Sequence, residues 1–160
     1  MSQVFDAYHD AVMHGLPDPD RDRQFYDGVL GRRFVAWIVD VVVILAIGVP
    51  LALAFGLLTL GFGLALFPMI LFGVGILYRA ATLASASATW GMRLMGVEFR
   101  RHDGARLDGG VALMQTLVYA FCVAVAPLML VSALMMALTR YGQGLPDLLL
   151  RTAMINRPAD

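Results

Sequence analysis

Lysine is absent from the 160 residues, so all twelve cations are Arg; twelve acids balance them to a formal net charge of zero. That balance excludes the basic stripe on which a nucleic-acid binder depends. Cysteine occurs once, at Cys122, which excludes an intramolecular disulfide framework and any multi-cysteine metal centre. Charge of either sign is scarce, at 15% of the chain, where a soluble domain carries about a quarter. Hydrophobic residues fill 59% and mean hydropathy is +0.73. A domain this small has a large surface to cover, and this chain lacks the polar residues to cover one in water. Composition therefore points to a bilayer.

The charges that are present divide the chain. In residues 1–30, Asp6, Asp10, Asp18, Asp20, Asp22 and Asp27 outnumber Arg21 and Arg23, and no basic, apolar and small-residue succession marks a signal peptide. Two prolines at Pro17 and Pro19 disfavour helix before them, so residues 1–23 read as a mostly flexible tail. From Phe34 to Tyr78 the one charge is Asp40. A membrane helix needs about 20 apolar residues, so the run predicts two spans, 34–56 and 61–82, joined near Gly61-Phe62-Gly63. Pro50 and Pro68 are expected to bend a helix or lie near its end. Gly48, Ala52 and Gly56 form a small-residue stripe of the kind that lets helices approach, a candidate interface between copies.

Residues 79–110 hold Arg79, Arg93, Arg100, Arg101 and Arg106. Asp103-Gly104 between short alternating runs predicts a surface β-hairpin over 94–108. Val111–Leu138 is a third uncharged run with Pro127 in its middle, either one long span or two half-helices. The fold expected is an all-α membrane protein with three transmembrane helices, the third open to a break at Pro127, and a small cytoplasmic β-hairpin between the second and third. Residues 1–30 form the acidic tail and 31–157 the membrane domain.

Arg placement sets orientation. Arg21, Arg23, Arg32 and Arg33 precede the first span and five Arg follow the second, whereas the turn between them has none. The N-terminus and the central loop are therefore expected in the cytoplasm. Three spans put the C-terminal tail outside, against the mild pull of its three Arg; a re-entrant third segment returns it inside.

Three charges are the candidate functional residues. Arg33, Ala36 and Asp40 share one helix face. An acid at this depth costs about 3 kcal/mol unless it meets a partner or water. Asp40 reads either as a proton or cation site tuned by Arg33, or as half of a buried pair that fixes packing. Asp147, after Pro146, reads as a first-turn helix residue or as a third member of that cluster. His9, Asp10 and His14 lack metal-ligand spacing, Cys122 reads as inert packing, and Ser85 and Ser87 have no convincing base. No metal, cofactor or enzyme chemistry is expected.

Arg33-Phe34-Val35-Ala36-Trp37-Ile38-Val39-Asp40 resembles the opening signature of the RDD family of small bacterial membrane proteins, named for one Arg and two Asp. Ala88-Thr89-Trp90-Gly91-Met92-Arg93-Leu94-Met95-Gly96-Val97-Glu98 is similar to its central turn and following strand. Gly142-Gln143-Gly144-Leu145-Pro146-Asp147, with Thr152 beyond, is similar to its closing segment. The resemblance covers roughly residues 24–157. Three positions depart: Pro146 stands where a His is common, Leu150-Arg151 where Ala-Gly is usual, and Arg93 where Lys is usual. The missing His removes a titratable group from any borrowed proton relay.

The resemblance implies a multi-pass protein of the bacterial inner membrane, mostly without assigned activity, with cation/proton antiport in a minority. Two function classes follow. One is a scaffold or accessory subunit, with Arg93, Arg100, Arg101 and Arg106 facing a partner or anionic lipid. The other is a cation/proton antiporter, or a component of one, with Asp40 as carrier. Either is expected as a homo-oligomer or beside a partner membrane protein, in contact with the lipid bilayer.

Overall fold

The computed structural model describes residues 13–157. The first apolar run forms one helix, α1, over Val29–Leu58, which at about 1.5 Å per residue is longer than a bilayer's apolar core. Pro50 lies inside it, faces outward and does not end it. The chain reverses at Thr59–Gly61, where Gly61 takes φ +95° and its N–H donates to the Gly56 carbonyl at 2.8 Å. A 3-10 turn over Phe62–Leu66 then leads into α2, Phe67–Ala86. Pro68 sits in the first turn of α2, where no intrahelical bond is lost.

Beyond α2 come the short helix α3 (Trp90–Leu94), strand β1 (Val97–Arg101), helices α4 (Gly109–Ala124), α5 (Ala126–Leu138) and α6 (Leu145–Leu150), and strand β2 (Thr152–Asn156). Two helical stretches, Arg23–Leu58 and Phe62–Ala86, are long and apolar enough to cross a membrane. The third apolar run is no single straight helix. It breaks at Val125, and α4 and α5 meet at a bend of 117°. Pro127 supplies the reason, because in a continuous helix it has no N–H for the Val123 carbonyl and its ring crowds that carbonyl.

The expected hairpin over 94–108 is corrected. Its turn forms, with Gly104 N–H on the Arg101 carbonyl at 2.9 Å and Gly104 at φ +78°. The returning strand does not form, because Asp108 caps α4 instead, accepting from the Val111 N–H at 2.8 Å. β1 pairs with the distant β2, antiparallel, with Val97 opposite Asn156 and Arg101 opposite Thr152. This pairing also fixes where the C-terminal strand lies. Residues 152–156 lie at the same end of the molecule as the 87–108 loop, not at the far end of a third straight span.

Two further expectations change. Gly48, Ala52 and Gly56 are buried within the chain, where a Cβ on Gly48 would meet Leu71 and one on Gly56 would meet Leu64. The stripe therefore closes α1 onto α2 and the 3-10 turn, and is not free to join copies. Residues 13–27 are docked instead of flexible: Met13, Leu16 and Tyr26 pack with Tyr141 and Ala153. Asn156 Nδ2 donates to the carbonyls of Gln24 and Asp27 at 2.7 and 2.9 Å. His9 and Asp10 lie outside the described residues.

The main core sits at the polar end, where Phe99, Val97 and Met154 of the sheet meet Leu83, Met92, Ala36 and Ala112 of the helix ends. The outer surface is apolar, with Phe34, Leu57, Phe62, Leu77, Leu130 and Leu138 all more than half exposed. Such a surface is costly in water and suits lipid.

Candidate functional site

Asp40 faces inward because it follows Ala36 by four residues on the buried side of α1, and it is 2% exposed. Its carboxylate meets the start of α3. Oδ1 accepts from the Tyr78 hydroxyl at 2.7 Å and from the Gly91 N–H at 2.9 Å; Oδ2 accepts from the Thr89 hydroxyl at 2.6 Å. Thr89 is also the N-cap of α3, its oxygen accepting from the Met92 N–H at 3.2 Å. The Tyr78 oxygen accepts from the Trp90 N–H at 3.0 Å. Every N–H of the first turn of α3 is thereby satisfied by Asp40 or by a hydroxyl bonded to Asp40, which removes the usual cost of a buried helix start.

The approach needs Gly91. A Cβ there would overlap the Ala36 carbonyl oxygen and come within 2.8 Å of Asp40 Oδ1. The Ala88-Thr89-Trp90-Gly91 segment is thus a receptor for one carboxylate, built from a capping hydroxyl, a side chain-free position and the Gly91 amide.

Asp147 forms a second node. It is fully buried near the start of α6. Its Oδ2 accepts from Arg33 Nη1 at 2.6 Å and from the Gly144 N–H at 2.9 Å, and its Oδ1 accepts from Gln115 Nε2 at 2.6 Å. Arg33 therefore pairs with Asp147, and its guanidinium also lies 5.4 Å from the centre of the Phe99 ring. The cation near Asp40 is Arg79, with Nη1 3.9 Å from Oδ2. The expectation that Arg33 tunes Asp40 directly is corrected: two acid–cation pairs lie side by side, joined through α1.

The four Arg expected to form a surface divide. Arg100 is bonded to Glu98, and Arg101 is paired with Asp103 at 3.3 Å and Asp108 at 2.8 Å. Arg93 and Arg106 remain exposed, Arg93 between the exposed Trp90 and Leu94.

Sequence reasoning missed Tyr78, Arg79, Thr89, Gly91, Gln115 and Glu98 as site or pairing residues. Gln115 had a signal, because an amide within a 28-residue uncharged run must find a partner. Glu98 had one too, as the single Glu of the chain; it is 1% exposed and lies 3.7 Å from Arg157.

A sequence model of the RDD family matches residues 28–151, from the start of α1 to the end of α6. The chain belongs to the RDD family. The matched range takes in Arg33, Asp40 and Asp147, the two carboxylate nodes and the cation of the second. No curated protein and no solved structure matches the chain. Within this RDD chain the departures are also placed. Pro146 lies in the first turn of α6, where a missing N–H loses nothing. Arg151 adopts φ +51°, a left-handed conformation that glycine accepts without strain.

Proposed function

We propose that this RDD protein is a multi-pass inner-membrane protein with no chemistry of its own, acting as a scaffold or accessory subunit. In this reading α1 and α2 span the bilayer, α4 and α5 dip in and return, and the sheet, α3, α6 and the segment 13–27 form a cytoplasmic cap. The β1–β2 pairing supports the return of the tail, and the Arg residues clustered at that end support a cytoplasmic position. Trp90, Arg93 and Leu94 suit the headgroup level, where an aromatic and a cation anchor a helix to anionic lipid. A second copy or a partner membrane protein is expected alongside, since two spans present little of a bundle interior.

One observation carries the reading. Both signature carboxylates are held by three hydrogen-bond donors of the fold, and each ties together segments far apart in sequence. A carrier group must exchange partners with water or an ion during a cycle, whereas these oxygens are committed to amides, hydroxyls and the Arg33 guanidinium, all of which would be left unpaired. The alternative, cation/proton exchange through Asp40, draws on one feature, the cavity that Asp40 helps to line.

The test is reconstitution in liposomes holding a pH-sensitive dye, with a pH gradient and added sodium, potassium or lithium. No cation-dependent dissipation is expected from correctly inserted protein. Dissipation that disappears in Asp40→Asn, with the fold retained, would overturn the scaffold reading in favour of exchange. Cysteine labelling from each side tests the topology separately: positions 106 and 157 should react from one face and position 60 from the other.

A further inference from the structure

A cavity of about 200 Å³ lies between α1, α2 and α4. Its ends differ in chemistry. Asp40, Arg79 and Tyr119 line the end near the polar cap, while Ile44, Phe72 and Val123 line the other. Arg79 and Phe72 are seven residues apart on α2, about 10 Å of helical rise. Trp37, Phe72 and Val123 are also exposed on the outer surface, so the cavity opens sideways toward the lipid-facing side.

Arg79 is the anomaly of this cavity. It is 7% exposed, yet its guanidinium has no hydrogen bond to any described residue. Nε is buried without a partner, Nη1 stays 3.9 Å from Asp40 Oδ2, and the group lies 3.9 Å over the Tyr119 ring. A guanidinium has five N–H donors, and 3.9 Å is beyond hydrogen-bond reach. Asp40 does not turn toward it, because Tyr78, Thr89 and Gly91 already hold the carboxylate.

We propose that this cavity binds a free fatty acid, its carboxylate on Arg79 and its alkyl chain along Ile44, Phe72 and Val123. A guanidinium matches a carboxylate in plane and charge. A cavity of about 150 Å³ holds a benzene ring, so this one takes a short stretch of a single alkyl chain, and the remainder leaves through the lateral opening. The polar end lies near the cytoplasmic headgroups and the apolar end nearer the bilayer centre, the order of a fatty acid in the inner leaflet. Asp40 is the like charge at that end, offset by its own three donors and by Arg79. The inference rests on the membrane placement proposed above, which side-specific cysteine labelling checks without reference to fatty acid.

The full chain in phosphatidylcholine nanodiscs is titrated with carboxyl-labelled palmitate, following the bound carboxylate by NMR and the thermal midpoint. Two variants accompany it. Gly75→Leu fills the cavity: a Cβ at Gly75 meets only Ile44, at 3.6 Å or more, so the longer side chain extends into the cavity. Arg79→Gln removes the charge. One saturable site is expected, with palmitate raising the midpoint and both variants weakening binding by about tenfold or more. Absence of saturable binding to folded wild type overturns the proposal, as does unchanged affinity in Gly75→Leu. Equal binding of hexadecanol also overturns it, because Arg79 would then not be reading a carboxylate.

Discussion

Arg33 and Asp147 stand 114 residues apart in sequence and 2.6 Å apart in space. The contact joins the start of α1 to the short helix that follows the broken third run. Asp147 has no exposure and Arg33 side-chain exposure is 14%, so water screens the pair little. A buried pair of this kind contributes modest net stability over an apolar replacement, but losing one partner strands the other. Its effect is to specify which segment docks where.

Asp147→Asn is therefore expected to destabilise the protein by about 3 kcal/mol, since Arg33 loses its counter-ion in a buried position. The double variant Arg33→Met with Asp147→Leu should recover much of that loss. Unfolding in mixed micelles measures both; additive losses would sink the structural account of the pair.

Asp40→Ala leaves the Tyr78 and Thr89 hydroxyls and the Gly91 N–H without their acceptor. A loss of about 3–5 kcal/mol is expected. Asp40→Asn should cost less, because an amide oxygen in the place of Oδ1 still accepts from the Tyr78 hydroxyl and the Gly91 N–H. Equal stability of all three proteins would remove the anchoring role.

Gly91→Ala forces a methyl group against the Ala36 carbonyl and Asp40. The expected cost is about 1–3 kcal/mol. Gly109→Ala, where a Cβ meets nothing within 4 Å, is the matched control and should be near neutral. Thermal midpoints of the two variants check the difference.

Arg151→Gly should stabilise by about 1 kcal/mol, because it relieves a left-handed backbone at φ +51° on an exposed side chain. A lower midpoint for this variant would mean that the Arg151 side chain contributes more than its backbone strain costs.

Cysteines at positions 101 and 152, in a Cys122→Ser background, should form a disulfide, since these residues face each other across β1 and β2. Opposed antiparallel Cα atoms lie about 4.5–5.5 Å apart, within the span of such a bond. Positions 101 and 106 should not crosslink. The reverse result would restore the local hairpin and free the tail.

The sequence by itself determined the solvent and the strongly local features. Two apolar runs long enough to span a bilayer, a reversal near Gly61, an Asp-Gly turn at 103–104 and the inward face shared by Ala36 and Asp40 all follow from neighbours within a few residues. The three signature charges were legible through the family resemblance and the rarity of charge around them. Tertiary structure decided their partners. Arg79 instead of Arg33 lies beside Asp40, Gln115 joins Asp147, and β2 instead of residues 105–108 completes the sheet. The physical reason is the same in each case. A helix period or a turn residue fixes which side a residue faces, but a buried carboxylate or an unpaired strand takes whichever donors the packed chain brings to it. For Asp147 and β1 the deciding features are the bend at Val125 and Asp108 starting a helix where a hairpin strand was expected; for Asp40 it is the packing of α2 and α3 against α1.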